Sequence, residues 1–208
     1  MSSRSRLLWA ACAGWFAVAA HAAPNPSSEP VSADAQYAAS WVLAGADNRQ
    51  SPFAVVDKRD ARIYVFEPGG RLVGASPVLL GAAPGDFGVD MKGRTPASLA
   101  PAERTTPAGR FASTPGRNDK GEDIVWIDYA AALAIHRLRP APVHERRPAR
   151  LASATPADNR ISSGCIVVPV AFFETVVAPT LGQRRGVVYV LPESRPAQAL
   201  FAELDLGD

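Results

Sequence analysis

The chain has 208 residues, with 22 Lys+Arg against 20 Asp+Glu, 47% hydrophobic residues and two cysteines. That length suits one domain with its own core. Nothing in this near balance of charge points to a nucleic-acid partner, because phosphate binding needs a marked basic excess.

The N-terminus, MSSRSRLLWAACAGWFAVAAHAAPNP, places Arg4 and Arg6 before an apolar stretch over 7–20 and a small-x-small site at Ala20-His21-Ala22. This is the layout of a cleavable secretory signal over 1–23, cut after Ala22 or Ala23, and it predicts export to the periplasm or cell envelope. A membrane anchor is the competing reading, but the run is shorter than the roughly 18–20 residues that cross a bilayer. Pro24 and Pro26 also follow at once, so no transmembrane segment is expected after processing. Lipidation of Cys12 is the minor alternative, because the bulky Trp9 sits where an aliphatic residue is wanted. Loss of Arg4 and Arg6 brings Lys+Arg to 20, equal to Asp+Glu, and leaves Cys165 as the one cysteine. In an oxidising compartment such a cysteine is either buried and inert or kept as a reactive thiol.

Residues 24–50, rich in Ala, Ser and Pro, read as a linker with a short peripheral helix over 37–43. From Phe53 the pattern becomes short β-type runs broken by Gly and Pro: FAVVDK, RIYVFE, RLVGASPVLLG, RFAST, DIVWIDY, ALAIHRL and GVVYVLP. Their spacing predicts a mainly β (α+β), mostly antiparallel domain over 51–193, followed by a tail over 194–208. PVAFFETVVAP breaks the rule. Pro169 suits a first helical turn, and Val170, Phe173, Val176 and Val177 recur at helical spacing, so Cys165 is expected near a helix N-terminus.

There the helix dipole would lower the thiol pKa and favour a thiolate. Gly164 permits a strained turn and close approach of substrate, and the Gly164 and Cys165 amides can form an oxyanion hole. A plain turn over a core cysteine is the competing reading. Of the two histidines after the signal, His136 lies on a predicted strand, sharing a face with Ala132, Ala134 and Leu138. His144 lies in the loop-like PAPVHERRPAR and is expected to be solvated.

TPAGRF at 106–111, the strand carrying His136, and ISSGCI at 161–166 occur in an order that resembles the L,D-transpeptidase (YkuD-like) catalytic domain. AVVDKRDARIYVFEPGGRLV is similar to that family's first hairpin, and the resemblance extends over about 53–192. It implies a β-sandwich with a helix after the cysteine, Cys165 as nucleophile and His136 as general base and acid. The chemistry it implies is acylation of Cys165 by a peptidoglycan stem tetrapeptide with release of D-Ala. An amine from a second stem, a lipoprotein or a free D-amino acid, or water, then resolves the thioester. Arg160, Ser162 and Ser163 are the expected substrate contacts. The orienting partner of His136 is expected to be a carbonyl near Ser162 or Ser163. No cofactor is implied, and the histidines and cysteine lack zinc-ligand spacing.

Two features depart from the family pattern. The interval from His136 to Ser162 is long, and Val167 stands where the family has Arg or Asn. An arginine at 160 or within 137–150 would then stand in for the missing polar group, and Val167→Asn would raise turnover. The alternatives these departures keep open are a catalytically impaired peptidoglycan-binding protein of the envelope, and an L,D-carboxypeptidase or endopeptidase of the same fold. The DFG at 86–88 reads as accidental in a chain without a kinase catalytic loop.

Overall fold

A computed structural model describes residues 30–207. The predicted signal (1–23), Cys12 and the first part of the predicted linker lie outside the described residues. The chain begins with α1 (Ala33–Ala44) and then runs through β1 (Phe53–Asp57), β2 (Arg62–Phe66), β3 (Leu72–Pro77) and the two-residue β4 (Leu80–Gly81). A long irregular segment leads to β5 (Gly109–Arg117), β6 (Asp123–Asp128) and β7 (Leu133–Arg137). The short α2 (Arg147–Leu151), β8 (Arg160–Ser162) and β9 (Ile166–Val168) follow. A helix then starts at α3 (Val170–Phe172), passes through a π-helical turn (Phe173–Val177) and ends in α4 (Ala178–Thr180). β10 (Gly186–Val190) and α5 (Ala197–Gly207) complete the chain.

Eight strands form one sheet in the order β3-β2-β1-β10-β5-β6-β7-β9, and β4 pairs with β8 beside it. β5 is shared: its first half pairs with β10 and its second half with β6. The sheet folds over at that strand. Ala54, Val56, Ile63 and Val65 from one half therefore meet Val125, Ile135, Ile166 and Val168 from the other in a single core. Phe172, Phe173, Val177 and Leu181 of the helical run fill the same core. The architecture is mainly β with a few helices, and the predicted helix after the cysteine is present. Most pairings are antiparallel, but β1–β10, β7–β9 and β4–β8 are parallel.

Alternate residues of β1, β2 and β10 face a second core. Phe53, Val55, Tyr64, Phe66, Val187 and Tyr189 pack against Ala35, Ala38 and Val42 of α1 and Leu200 and Phe201 of α5. Both faces of these strands are covered, which is why FAVV, IYVF and VVYV are unbroken apolar runs rather than alternating ones. The expected peripheral helix and tail are thus two docked helices. Half of their buried residues are alanines, which composition reads as linker.

Candidate active site

Cys165 lies in the turn between β8 and β9. Gly164 precedes it at φ +132, a conformation that favours glycine, and a Cβ there would stand 2.8 Å from Thr105 O. Three bonds hold the turn. Ser162 Oγ donates to Cys165 O (2.7 Å), Gly164 N donates to Ser162 Oγ (3.1 Å), and Thr106 Oγ1 donates to Gly164 O (2.8 Å) while accepting from Gly81 N. Thr106, the first residue of TPAGRF, is fully buried and ties the cysteine turn to β4. The quoted motif carried this signal, but its role was not legible without the fold.

His136 pairs in register with Val167, and Ile135 with Ile166, in the parallel β7–β9 ladder. Ile166 and Val168 enter the main core, so Val167 points to the opposite face, the face of His136. Cys165 immediately precedes β9, so the ladder brings the cysteine turn beside the strand that carries His136. His136 is half-buried, and its Nδ1 lies 2.8 Å from Arg137 O. A neutral ring donating there directs Nε2 outward as the acceptor. The orienting carbonyl is therefore that of Arg137, not one near Ser162 or Ser163.

Electrostatics reverse the thiolate expectation. The strand β9 separates Cys165 from the helix, whose first residue is Val170, so the cysteine is not in the first turn of that helix. Burial pushes the Cys165 thiol up, only partly offset by the Ala134 N–H and the Arg139 charge. Its Sγ donates to Ala132 O at 3.5 Å. Burial likewise holds His136 down to about 4, aided by Arg139 and Arg147. The resting pair is a neutral thiol and a neutral imidazole, suited to proton transfer during attack rather than to a standing ion pair.

Ser163, Gly164 and Cys165 line a narrow slot of about 40 Å³ with Val89, Met91, Leu99 and Leu133. The irregular segment between β4 and β5 forms its outer wall. Gly164 N is engaged by Ser162 Oγ, so it is not an oxyanion donor in this structure; no described residue accepts the Cys165 N–H, which is an open donor of the turn. Ser162 is buried and spent on the turn. Arg160 is committed to Glu193 and Lys58 O, and it does not line the slot. Val167 is 1% exposed, packed with Leu79 and Leu151, with both its backbone groups bonded to Leu79. A polar group at this position would be buried, so Val167 is a packing residue here and cannot meet substrate. His144 is exposed, as expected. Among the described residues no cluster of His, Cys, Asp and Glu is suited to a metal, and no helix is long and apolar enough to cross a membrane.

No family model and no curated protein matches the sequence. Solved structures do. The catalytic domain of an L,D-transpeptidase from E. faecium is similar at 16% identity, over 68% of this chain and 98% of that one, with a TM-score of 0.41. An L,D-transpeptidase from Xylanimonas cellulosilytica is similar at 17% identity, over 68% and 60% of the two chains, with a TM-score of 0.42. The helical cell shape determining protein Pgp2 from Campylobacter jejuni is similar at 16% identity, over 75% and 55%, with a TM-score of 0.45.

Proposed function

We propose that the protein is a cysteine acyltransferase of the L,D-transpeptidase type, exported to the periplasm or cell envelope and acting on peptidoglycan stem peptides. The observation that supports this reading is that the turn carrying Cys165 leads straight into β9, the strand paired with that of His136, whose Nδ1 lies against the Arg137 carbonyl. In the first step Cys165 Sγ attacks the carbonyl before the terminal D-Ala of a stem tetrapeptide. His136 Nε2 takes the thiol proton and returns it to the leaving amine, so D-Ala departs and a thioester remains. The Cys165 N–H is a donor for the developing oxyanion. An amine or water then attacks the thioester and restores the thiol.

The test is the intact mass of the protein after exposure to a tetrapeptide donor or a carbapenem. An adduct on the wild type, absent from Cys165→Ala and formed some two to four orders of magnitude more slowly by His136→Ala, supports the reading. A wild type that stays unmodified while folded overturns it.

A further inference from the structure

Acyl transfer to Cys165 develops negative charge on the attacked carbonyl oxygen, and fixed hydrogen-bond donors aimed at that oxygen lower the barrier. The cysteine turn is short of such donors. Gly164 N is taken by Ser162 Oγ, Ser162 Oγ itself donates to Cys165 O, and Thr106 Oγ1 donates to Gly164 O. Of the two amides at the nucleophile, only that of Cys165 is open.

The walls of the slot narrow the search for a second donor to one side chain. Most lining residues are glycine, proline or aliphatic, and the side-chain oxygens are those of Glu103, Thr105 and Ser163. Glu103 is an acceptor only: Arg94 holds its carboxyl below the usual range, and it also accepts from the Ala100 N–H. Thr105 Oγ1 donates to Phe87 O at 2.7 Å. Ser163 differs from both. It stands two residues before the nucleophile, lines the slot half-buried, and its hydroxyl makes no hydrogen bond to any described residue. A hydroxyl without an internal acceptor has its proton free for a substrate oxygen and gives up no existing bond to offer it.

We propose that the Ser163 hydroxyl is a catalytic donor to the oxyanion formed when Cys165 attacks its substrate carbonyl. This rests on the acyl-transfer reading of Cys165 and His136. As the S–C bond forms, the carbonyl π pair moves onto oxygen, which accepts from Ser163 Oγ–H and from the Cys165 N–H. The hydroxyl keeps its proton throughout. The C=O bond is then restored, the C–N bond breaks with its electron pair going to nitrogen, and the leaving amine takes a proton from His136 Nε2. The same two donors serve the second oxyanion, when an amine or water attacks the thioester.

The test compares attack on a carbonyl with attack on a saturated carbon. Acylation by a carbapenem passes through an oxyanion and alkylation by iodoacetamide does not, although both consume the Cys165 thiol. Ser163→Ala should lower the maximal acylation rate by about 100-fold, leave the half-saturating carbapenem concentration unchanged, and alkylate at the wild-type rate. Ser163→Thr keeps the hydroxyl and should recover most of the acylation rate. Wild-type acylation by Ser163→Ala overturns the proposal. So does a change in half-saturation alone, which marks a contact to the ground state, or a parallel loss of acylation and alkylation, which marks a role in placing the thiol. A wild type that alkylates but forms no acyl-enzyme overturns the acyl-transfer reading, and the role of Ser163 falls with it.

Discussion

At Cys165 the sign of the pKa shift decides the mechanism. A thiol at a helix N-terminus would be a thiolate in acid, but β9 intervenes and burial pushes this thiol up from its ordinary value. In the proposed reaction the neutral imidazole must therefore be present when attack begins. His136, held down to about 4 from 6.5, stays neutral throughout the physiological range. The second-order rate of acylation by a carbapenem should be flat from about pH 5 to neutrality and fall as pH drops through about 4. A limb at 6.5 or above would show that the imidazole is not depressed. The same shift has a linked effect on stability. Its contribution is fully present above 6.5, where both folded and unfolded imidazoles are neutral, and is lost as pH falls toward 4, because the unfolded ring takes the proton first. Val167, two residues on, obeys packing rather than catalysis. Val167→Asn buries an amide among Leu79 and Leu151 and should cost about 1–3 kcal/mol in urea denaturation, with no gain in acylation rate. A faster enzyme of unchanged stability would overturn that assignment.

At the level of elements, the segment between β4 and β5 is pinned by one buried cation. Lys58 Nζ donates to Gly85 O, Asp86 Oδ1 (2.8 Å) and Thr106 O (2.9 Å). Burial alone would raise the Asp86 carboxyl, but Lys58, Ser194 and the Glu193 N–H hold it well below the usual range. The DFG that reads as accidental thus supplies the anchor of the slot's outer wall. Through Thr106 the same lysine supports the carbonyl of Gly164. Lys58→Met leaves Asp86 buried without its cation and should lower stability by about 3–5 kcal/mol. In protein that remains folded at low temperature, acylation of Cys165 should slow as the turn loosens, while Lys58→Arg should recover part of the rate. Unchanged stability and rate in Lys58→Met would remove the residue from this role. Much of this level was legible in advance: the apolar runs marked β1, β2, β3, β5, β6, β7 and β10. β8 and β9 were not, because three-residue strands carry no alternation to read. Their parallel pairing with β4 and β7 is a contact between distant segments that local pattern does not encode. At the candidate site, Cys165 and His136 stand out in the sequence as residue types in a pattern, whereas the Arg137 carbonyl and the Thr106 bond to Gly164 enter only once the chain is folded.

Over the whole molecule, the two cores divide the labour. The first lies under Cys165 and His136, and the second joins α1 and α5 to the far face of β1, β2 and β10. Only Ala35, Ala38 and Val42 of α1 and Ala197, Leu200 and Phe201 of α5 are buried. So few large apolar residues explain why both helices read as linker and tail. Phe201 is the largest of these and fully buried, with ring contacts to Tyr37 at 5.6 Å, Trp41 at 4.9 Å and Tyr189 at 6.2 Å. Phe201→Ala removes a ring at the junction of both helices and the sheet, and a cavity there should cost about 3–5 kcal/mol. If the cores are independent, the loss shows only in the urea midpoint, and the folded variant acylates Cys165 at the wild-type rate. Hydrogen exchange should then rise in α1 and α5 while β7 and β9 keep their protection. A fall in acylation by folded Phe201→Ala protein would instead mean that the packing of the far face sets the geometry of the β7–β9 ladder.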